Sequence, residues 1–91
     1  MTIDDRIRTL IDHVGITSDG LAAETGIKYS RWTTIRKTGG RARAEEVEAL
    51  CILYPQFQMW IATGTTLPDA GQISPEIEET AGDYQGTGTD T

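Results

Sequence analysis

The sequence predicts an all-α domain of five helices followed by a disordered acidic tail. Four segments place apolar residues three or four positions apart, which is the spacing of one face of an amphipathic helix, and a fifth, over residues 17–25, begins at a capping threonine. Gly15, Gly26 and Gly64 stand where three of these patterns end, and we find no convincing strand pattern. With 91 residues, the chain has room for one small domain.

The first three predicted helices follow one another with short breaks. The first covers residues 2–14, with acidic residues in its first turn, where the helix dipole favours negative charge. The second covers residues 17–25 and begins at a threonine, a residue type that caps helix N-termini. The third covers residues 29–37 and places Trp32 and Ile35 three positions apart, so we expect these two side chains in the core.

Two further helices and a tail complete the predicted organisation. The fourth helix covers residues 44–54, and the fifth covers residues 56–63 after Pro55, which suits the start of a helix but not its interior. Beyond Gly64 the apolar periodicity is lost. We therefore expect a folded domain over residues 1–68 and an acidic, Gly/Thr-rich, largely disordered tail over residues 69–91.

Charge is distributed unevenly along the chain, although the net charge is −6. The segment from residue 28 to residue 43 has no acidic residue, and the segment from residue 69 onward has six acidic residues and no basic one. The basic segment, called here the basic run, consists of Lys28, Arg31, Arg36, Lys37, Arg41 and Arg43. A run of this kind is often only a solvated face, but the acidic total does not exclude a nucleic-acid partner for it.

The composition argues against several other classes of protein. A single cysteine, Cys51, and a single histidine, His13, leave no disulfide framework and no Cys/His zinc site. Since no catalytic constellation is present, we expect neither an enzyme nor a bound metal or cofactor. No apolar run approaches the roughly 18 residues of a membrane span, so we expect a cytoplasmic protein without a membrane partner. We expect His13 at the surface and Cys51 in the core.

The segment ITSDGLAAETGIKYSRWTTIRKTGGRARAEEVEALCILYP resembles the helix-turn-helix of the Cro/C1 (XRE) family of phage repressors and bacterial regulators. The matching residues are Leu21 and Ala22 in the second helix, Gly26 and Ile27 at the turn, and the apolar pair of the third helix. The resemblance covers residues 3–76 and implies a lambda-repressor-like fold. One departure is Lys28, where the family usually has a Ser or Thr cap. Either the helix begins a residue later, capped by Ser30 or unassisted, or a bound phosphate supplies the missing acceptor.

The resemblance implies a sequence-specific regulator of transcription that binds double-stranded DNA, a phage or prophage repressor acting as a homodimer on a palindromic operator. In such a motif the second of the two helices, here the third predicted helix, enters the major groove with its N-terminal part. Binding to DNA would associate the protein with the nucleoid. The positions expected to read bases are Tyr29, Ser30, Thr33 and Thr34. The basic run, from Lys28 to Arg43, is expected to contact phosphates.

Two further expectations concern partner proteins. Phe57, Met59 and Trp60 on the fifth helix form a candidate dimer interface, because aromatic residues and methionine are enriched at interfaces. The alternative to a DNA-binding repressor is a protein-binding module on the same scaffold, such as an antitoxin or a small phage inhibitor of a host protein. In that case the acidic tail is the binding segment.

Overall fold

Five α-helices in the predicted order dominate the fold, and the computed structural model of the chain describes residues 1–80. They are α1 (Ile3–Val14), α2 (Ser18–Thr25), α3 (Tyr29–Lys37), α4 (Ala44–Leu53) and α5 (Gln58–Thr63). Short 3-10 turns at Pro55–Phe57 and Pro68–Ala70 flank α5. A last helical stretch over residues 75–80, here α6, reaches the end of the described part. Within residues 1–80, β pairing is limited to a bridge between Leu67 and Gln72, and no helix there is both long and apolar enough to cross a bilayer.

The ends of α1 show how local chemistry sets a helix boundary. The hydroxyl of Thr2 accepts the backbone N–H of Asp5 at 3.1 Å, and the Asp5 carboxylate accepts the backbone N–H of Thr2 at 3.1 Å. This reciprocal pair satisfies N–H groups that have no partner within the helix. The hydrogen bond from Thr2, followed by that from Arg8, holds the pKa of the Asp5 carboxyl below its ordinary value. At the other end, Gly15 adopts a left-handed conformation with φ of 72° and ends the helix.

The core takes apolar side chains from all five helices and from the turn before α5. Trp32 and Ile35 of α3 are fully buried, which confirms their predicted position. The buried apolar set comprises Ile7, Leu10, Ile11, Leu21, Trp32, Ile35, Leu50, Phe57 and Ile61. Because α3 contributes two large anchors to this set, its opposite face is directed outward.

Two arginines of α1 hold the C-terminal ends of other helices. Arg6 donates from Nε to the carbonyl of Ile61 in α5 at 2.9 Å. Arg8 donates from Nη1 to the carbonyl of Ile35 in α3 at 3.2 Å. Cations at helix C-termini satisfy free carbonyls and oppose the negative end of the helix dipole. Both arginines therefore have structural partners, and neither lies in the basic run.

Residues 69–80 are folded against the domain, so the predicted disorder from residue 69 is wrong for this part of the tail. The backbone N–H of Ile73 donates to the carbonyl of Gln56 at 2.9 Å. Ser74 is buried, and its hydroxyl accepts the N–H of Ile77 at 3.2 Å at the start of α6. The prediction failed because short docked segments need few apolar residues and produce no periodic pattern. Residues 81–91, to which the rest of the predicted tail and its partner-binding role belong, lie outside the described residues.

His13 lies at the contact between α1 and α6. It is therefore not the ordinary surface residue that the sequence predicts. Its Nε2 lies 2.7 Å from Oε1 of Glu78, and its ring meets that of Phe57 edge to face with centroids 6.1 Å apart. The acidic partner is 65 positions away in the chain, so no local pattern indicated the contact.

Cys51 is half-buried against the core, and burial raises the pKa of its thiol.

Candidate nucleic-acid interface

Helices α2 and α3 are joined by a short turn that Gly26 and Thr25 stabilise. Gly26 has φ of 75°, and its N–H donates to the carbonyl of Ala22 at 2.9 Å. The hydroxyl of Thr25 donates to the carbonyl of Leu21 at 2.6 Å and accepts the indole N–H of Trp32 at 3.2 Å. One threonine therefore connects the last turn of α2 to the buried anchor of α3. Sequence reasoning did not identify this role of Thr25.

The start of α3 is open to solvent. Lys28 occupies the N-cap position without a side-chain cap, and α3 begins at Tyr29, so neither the later start nor a cap from Ser30 is observed. Tyr29 is 50% exposed, and Ser30 is also exposed. Together they form the accessible part of the face that was predicted to read bases.

The two threonines of that predicted face are less accessible. The hydroxyl of Thr33 is buried, and no residue of the described part accepts from it or donates to it. The hydroxyl of Thr34 donates to the carbonyl of Ser30 at 2.8 Å. Gly40 packs closely on the methyl group of Thr34, so a Cβ atom at position 40 would collide with that methyl group. Both threonines are half-buried, so the structure brings all four predicted residues onto one helix but exposes two of them.

The loop between α3 and α4 is held in place at both sides. The carboxylate of Asp4 is nearly buried, and it accepts the N–H of Ala42 at 2.8 Å. The N–H of Gly40 donates to the carbonyl of Thr34 at 3.0 Å. The loop therefore presents its basic side chains from a defined backbone. The sequence indicated Asp4 only as a charge in the first turn of α1 and gave no sign of this contact.

Four members of the basic run are exposed around α3 and the following loop: Lys28, Lys37, Arg41 and Arg43. The side chain of Arg41 is 90% exposed, with its Nε 3.6 Å from the Asp4 carboxylate. Arg36 is half-buried and donates from Nη1 to the hydroxyl of Ser18 at 3.0 Å, at the start of α2. These cations and the open start of α3 form a surface, called here the α3 surface, that combines positive charge with exposed polar groups.

Arg31 differs from the rest of the basic run because its guanidinium is held by α4. It donates from Nε and Nη2 to the two oxygens of Glu46, at 2.8 and 3.0 Å, and from Nη2 to the carbonyl of Arg41 at 3.1 Å. Fork-like pairs of this kind fix orientation as well as charge. The predicted phosphate contact of Arg31 therefore competes with a structural contact between α3, α4 and the loop.

Glu46 has no exposed surface and is fully hydrogen-bonded. Besides Arg31, it accepts the backbone N–H of Arg43 at 2.8 Å. Burial raises the pKa of Glu46, but the hydrogen bonds from Arg31 and Arg43, with the charges of both, outweigh burial and leave the pKa below its ordinary value. The carboxylate is therefore ionised at neutral pH. From the sequence it was visible only as an acidic residue in the first turn of a helix.

The candidate dimer residues divide into two groups. Phe57 is fully buried in the core, so its predicted place in a dimer interface is wrong. An aromatic residue at the start of a short helix has the same sequence signal whether it faces the core or a partner. Met59 and Trp60 are half-buried, and Leu67, in the segment after α5, is 50% exposed. Within residues 1–80, no group of three His, Cys, Asp or Glu side chains is placed to hold a metal ion.

The chain is similar over nearly its whole length to a protein of known structure. It matches Pf6r from the filamentous phage Pf6 of Pseudomonas aeruginosa PA01 with a TM-score of 0.80 and 39% sequence identity. The match covers 92% of this chain and 98% of Pf6r. No protein-family model matches the sequence, and none of the curated proteins does.

Proposed function

Because the chain belongs to the same family as Pf6r of filamentous phage Pf6, we propose that it is a phage regulator that binds double-stranded DNA. In this proposal α2 and α3 form a helix-turn-helix of the Cro/C1 type within a lambda-repressor-like fold. The observation that carries it is the α3 surface, where exposed cations lie at both ends of α3 and in the following loop, and where the start of the helix is uncapped. The protein represses transcription by occupying an operator.

Base reading falls mainly to the first turn of α3. In a helix-turn-helix the N-terminal residues of the second helix contact base edges in the major groove. Ser30 is exposed there and can donate to or accept from either kind of base, and Tyr29 beside it presents a phenol. Thr33 and Thr34 follow one turn later, where a hydroxyl would have to rotate toward the DNA before it could form a hydrogen bond to a base.

Phosphate contacts fall to the exposed cations of the basic run. Lys28 and Lys37 are accessible at the two ends of α3, and Arg41 and Arg43 are accessible in the loop that follows it. Such contacts position a protein without reading sequence. A phosphate placed at the start of α3 would also accept the free N–H groups that Lys28 leaves uncapped. Arg31 acts differently, by holding α3 to α4 through Glu46.

Two copies are needed for a long operator. One recognition helix reads only a few base pairs, and a two-fold dimer repeats those contacts one helical turn further along the duplex. We therefore propose a homodimer on an inverted repeat, formed around Met59, Trp60 and Leu67, which remain partly exposed.

In vitro selection from a random duplex pool tests this function. We expect the full chain to enrich an inverted repeat, and we expect the double variant Lys28→Ala/Lys37→Ala to lose most of the enrichment. A double variant of exposed residues outside the α3 surface, Gln58→Ala/Glu76→Ala, should retain it. Absence of any enrichment by the full chain would overturn the proposal.

A further inference from the structure

A groove outside the α3 surface lies between the end of α2 and α4. Its volume is about 450 Å³, and its apolar lining comes from Ile27, Ala49, Ile52 and Leu53. Ile52 is 72% exposed, although it lies within a helix whose other face is packed on the core. Exposed apolar surface with a polar rim is typical of sites that bind another molecule.

The polar rim of this groove is acidic. Three carboxylates line it, from Glu24 on α2 and from Glu45 and Glu48 on α4, and no cation of the described residues is among its lining. The pKa of the Tyr54 phenol is raised, mainly because the group is buried and further because of the negative charge of Glu24. The rim therefore favours a positively charged ligand.

We propose that this groove binds a basic amphipathic segment of another protein. Apolar side chains of the segment lie against Ile52 and Ala49, and its Lys or Arg residues pair with the rim carboxylates. Duplex DNA does not fit the groove, because phosphates would face three carboxylates. A second copy fits poorly for the same reason, since two-fold symmetry would place each acidic rim against its own equivalent.

The site is separate from the proposed DNA contacts, but it is next to them. Glu45 borders both this groove and a neighbouring depression that contains Lys28 and Arg43. A basic segment in the groove would therefore lie close to the positive start of α3 without requiring any of its exposed residues. This arrangement allows the partner and DNA to be tested independently.

Nuclear magnetic resonance titration of the labelled full chain, without DNA, tests the proposal. The probes are two synthetic helical peptides of equal length, one built from Leu and Lys and the other from Leu and Glu. We expect the Leu/Lys peptide to shift the methyl signals of Ile27, Ala49 and Ile52, and the Leu/Glu peptide to shift none of them. The variant Ile52→Lys should weaken binding of the Leu/Lys peptide about tenfold or more.

The variant Ala70→Lys is the matched control, because it makes the same change in charge at an exposed apolar residue outside both the groove and the proposed dimer residues. Equal weakening by both variants, or shifts spread over all acidic surfaces, would show attraction to net charge only and would overturn the proposal. Loss of a wild-type dimer in Ile52→Lys, measured by analytical ultracentrifugation, would instead assign the groove to a second copy. None of these outcomes bears on DNA binding, since no DNA is present.

Discussion

Glu46 illustrates how a single buried carboxylate can position an exposed surface. It accepts two hydrogen bonds from Arg31 of α3 and one from the backbone of Arg43 at the end of the loop. Removing either member of such a pair leaves a charged group without its partner, which costs more than the pair contributes. The position of α3 relative to the basic loop therefore depends on this contact.

Replacing Glu46 by Gln should lower the free energy of unfolding at pH 7 by about 1.5–3 kcal/mol, the range for hydrogen bonds to charged groups. The pKa of Glu46 in the folded protein lies below its ordinary value of 4.5. The ionised carboxylate therefore stabilises the fold fully above pH 4.5, and this contribution is lost as the pH falls through the lower folded pKa.

Urea unfolding of the wild type and the Glu46→Gln variant, from neutral pH down to about pH 3, measures this effect, because the ordinary pKa of a glutamate lies within that range. The difference between the two proteins should shrink as the pH falls. Glu45→Gln, at the exposed neighbouring position, should stay within about 0.5 kcal/mol of the wild type. A difference that stays constant over the whole pH range would show that Glu46 is not stabilised as an ion.

Arg41 and Arg31 should respond differently to removal of their side chains. Arg41→Ala should weaken binding to all duplexes and flatten the slope of log K against log salt by about 0.9, because one phosphate contact is lost. Its stability should change little, since the side chain is 90% exposed. Arg31→Ala should instead lower stability, because it leaves Glu46 unpaired. Salt-dependent binding and urea unfolding of both variants would separate the two roles, and an unchanged slope for Arg41→Ala would exclude its phosphate contact.

At the scale of the element, α3 has two faces with separate tasks. Its inward face carries Trp32 and Ile35, which are fully buried. Its outward face begins with the exposed Tyr29 and Ser30. Since the anchors fix rotation of the helix about its axis, they also decide which polar residues face outward.

The variants Ser30→Ala and Thr33→Val should therefore affect different properties, base preference in the first and stability in the second. Ser30→Ala should relax the preference for one base pair of the selected operator, since a good base contact contributes on the order of 1–3 kcal/mol of discrimination. Thr33→Val should leave the preference unchanged and raise stability, because it removes a buried hydroxyl without a partner in the described part. Binding to an operator library and thermal unfolding measure both. Preference lost in Thr33→Val would show that its hydroxyl turns outward to read DNA.

At the scale of the whole molecule, charge of opposite sign is separated in space. Exposed cations surround α3, and carboxylates line the groove between α2 and α4. Screening limits the reach of exposed charges to about 8 Å at physiological salt. The basic surface therefore acts locally, and a net charge of −6 does not prevent it from meeting phosphate.

The proposed dimer is tested by Met59→Asp. Met59 is partly exposed on α5, so a carboxylate there should separate the two copies and weaken binding to the full operator more than to a half-site. Sedimentation at micromolar concentration measures the oligomeric state, with Ile52→Asp as a control at an exposed apolar residue on α4. A wild type that is monomeric and binds one half-site tightly would contradict the dimer.

Local sequence patterns were sufficient to predict most helix boundaries and the anchors of α3. Gly15 and Gly26 end α1 and α2 in the left-handed conformation, as their positions in the pattern predicted. Trp32 and Ile35 are buried as their spacing predicted. These features follow from local rules, since the period of a helix and the conformational freedom of glycine depend only on residues near in the chain.

Tertiary structure alone decided which polar residues are committed to the fold. Arg31 belongs to the basic run by sequence, yet it pairs with a glutamate 15 positions later. His13 contacts Glu78, which lies 65 positions later in the chain. Phe57 is buried, although its sequence signal also suits an interface. A charged or aromatic side chain has the same local signal on a surface as in a buried contact. Its role is decided by whichever distant group the packed helices bring within a few ångströms of it.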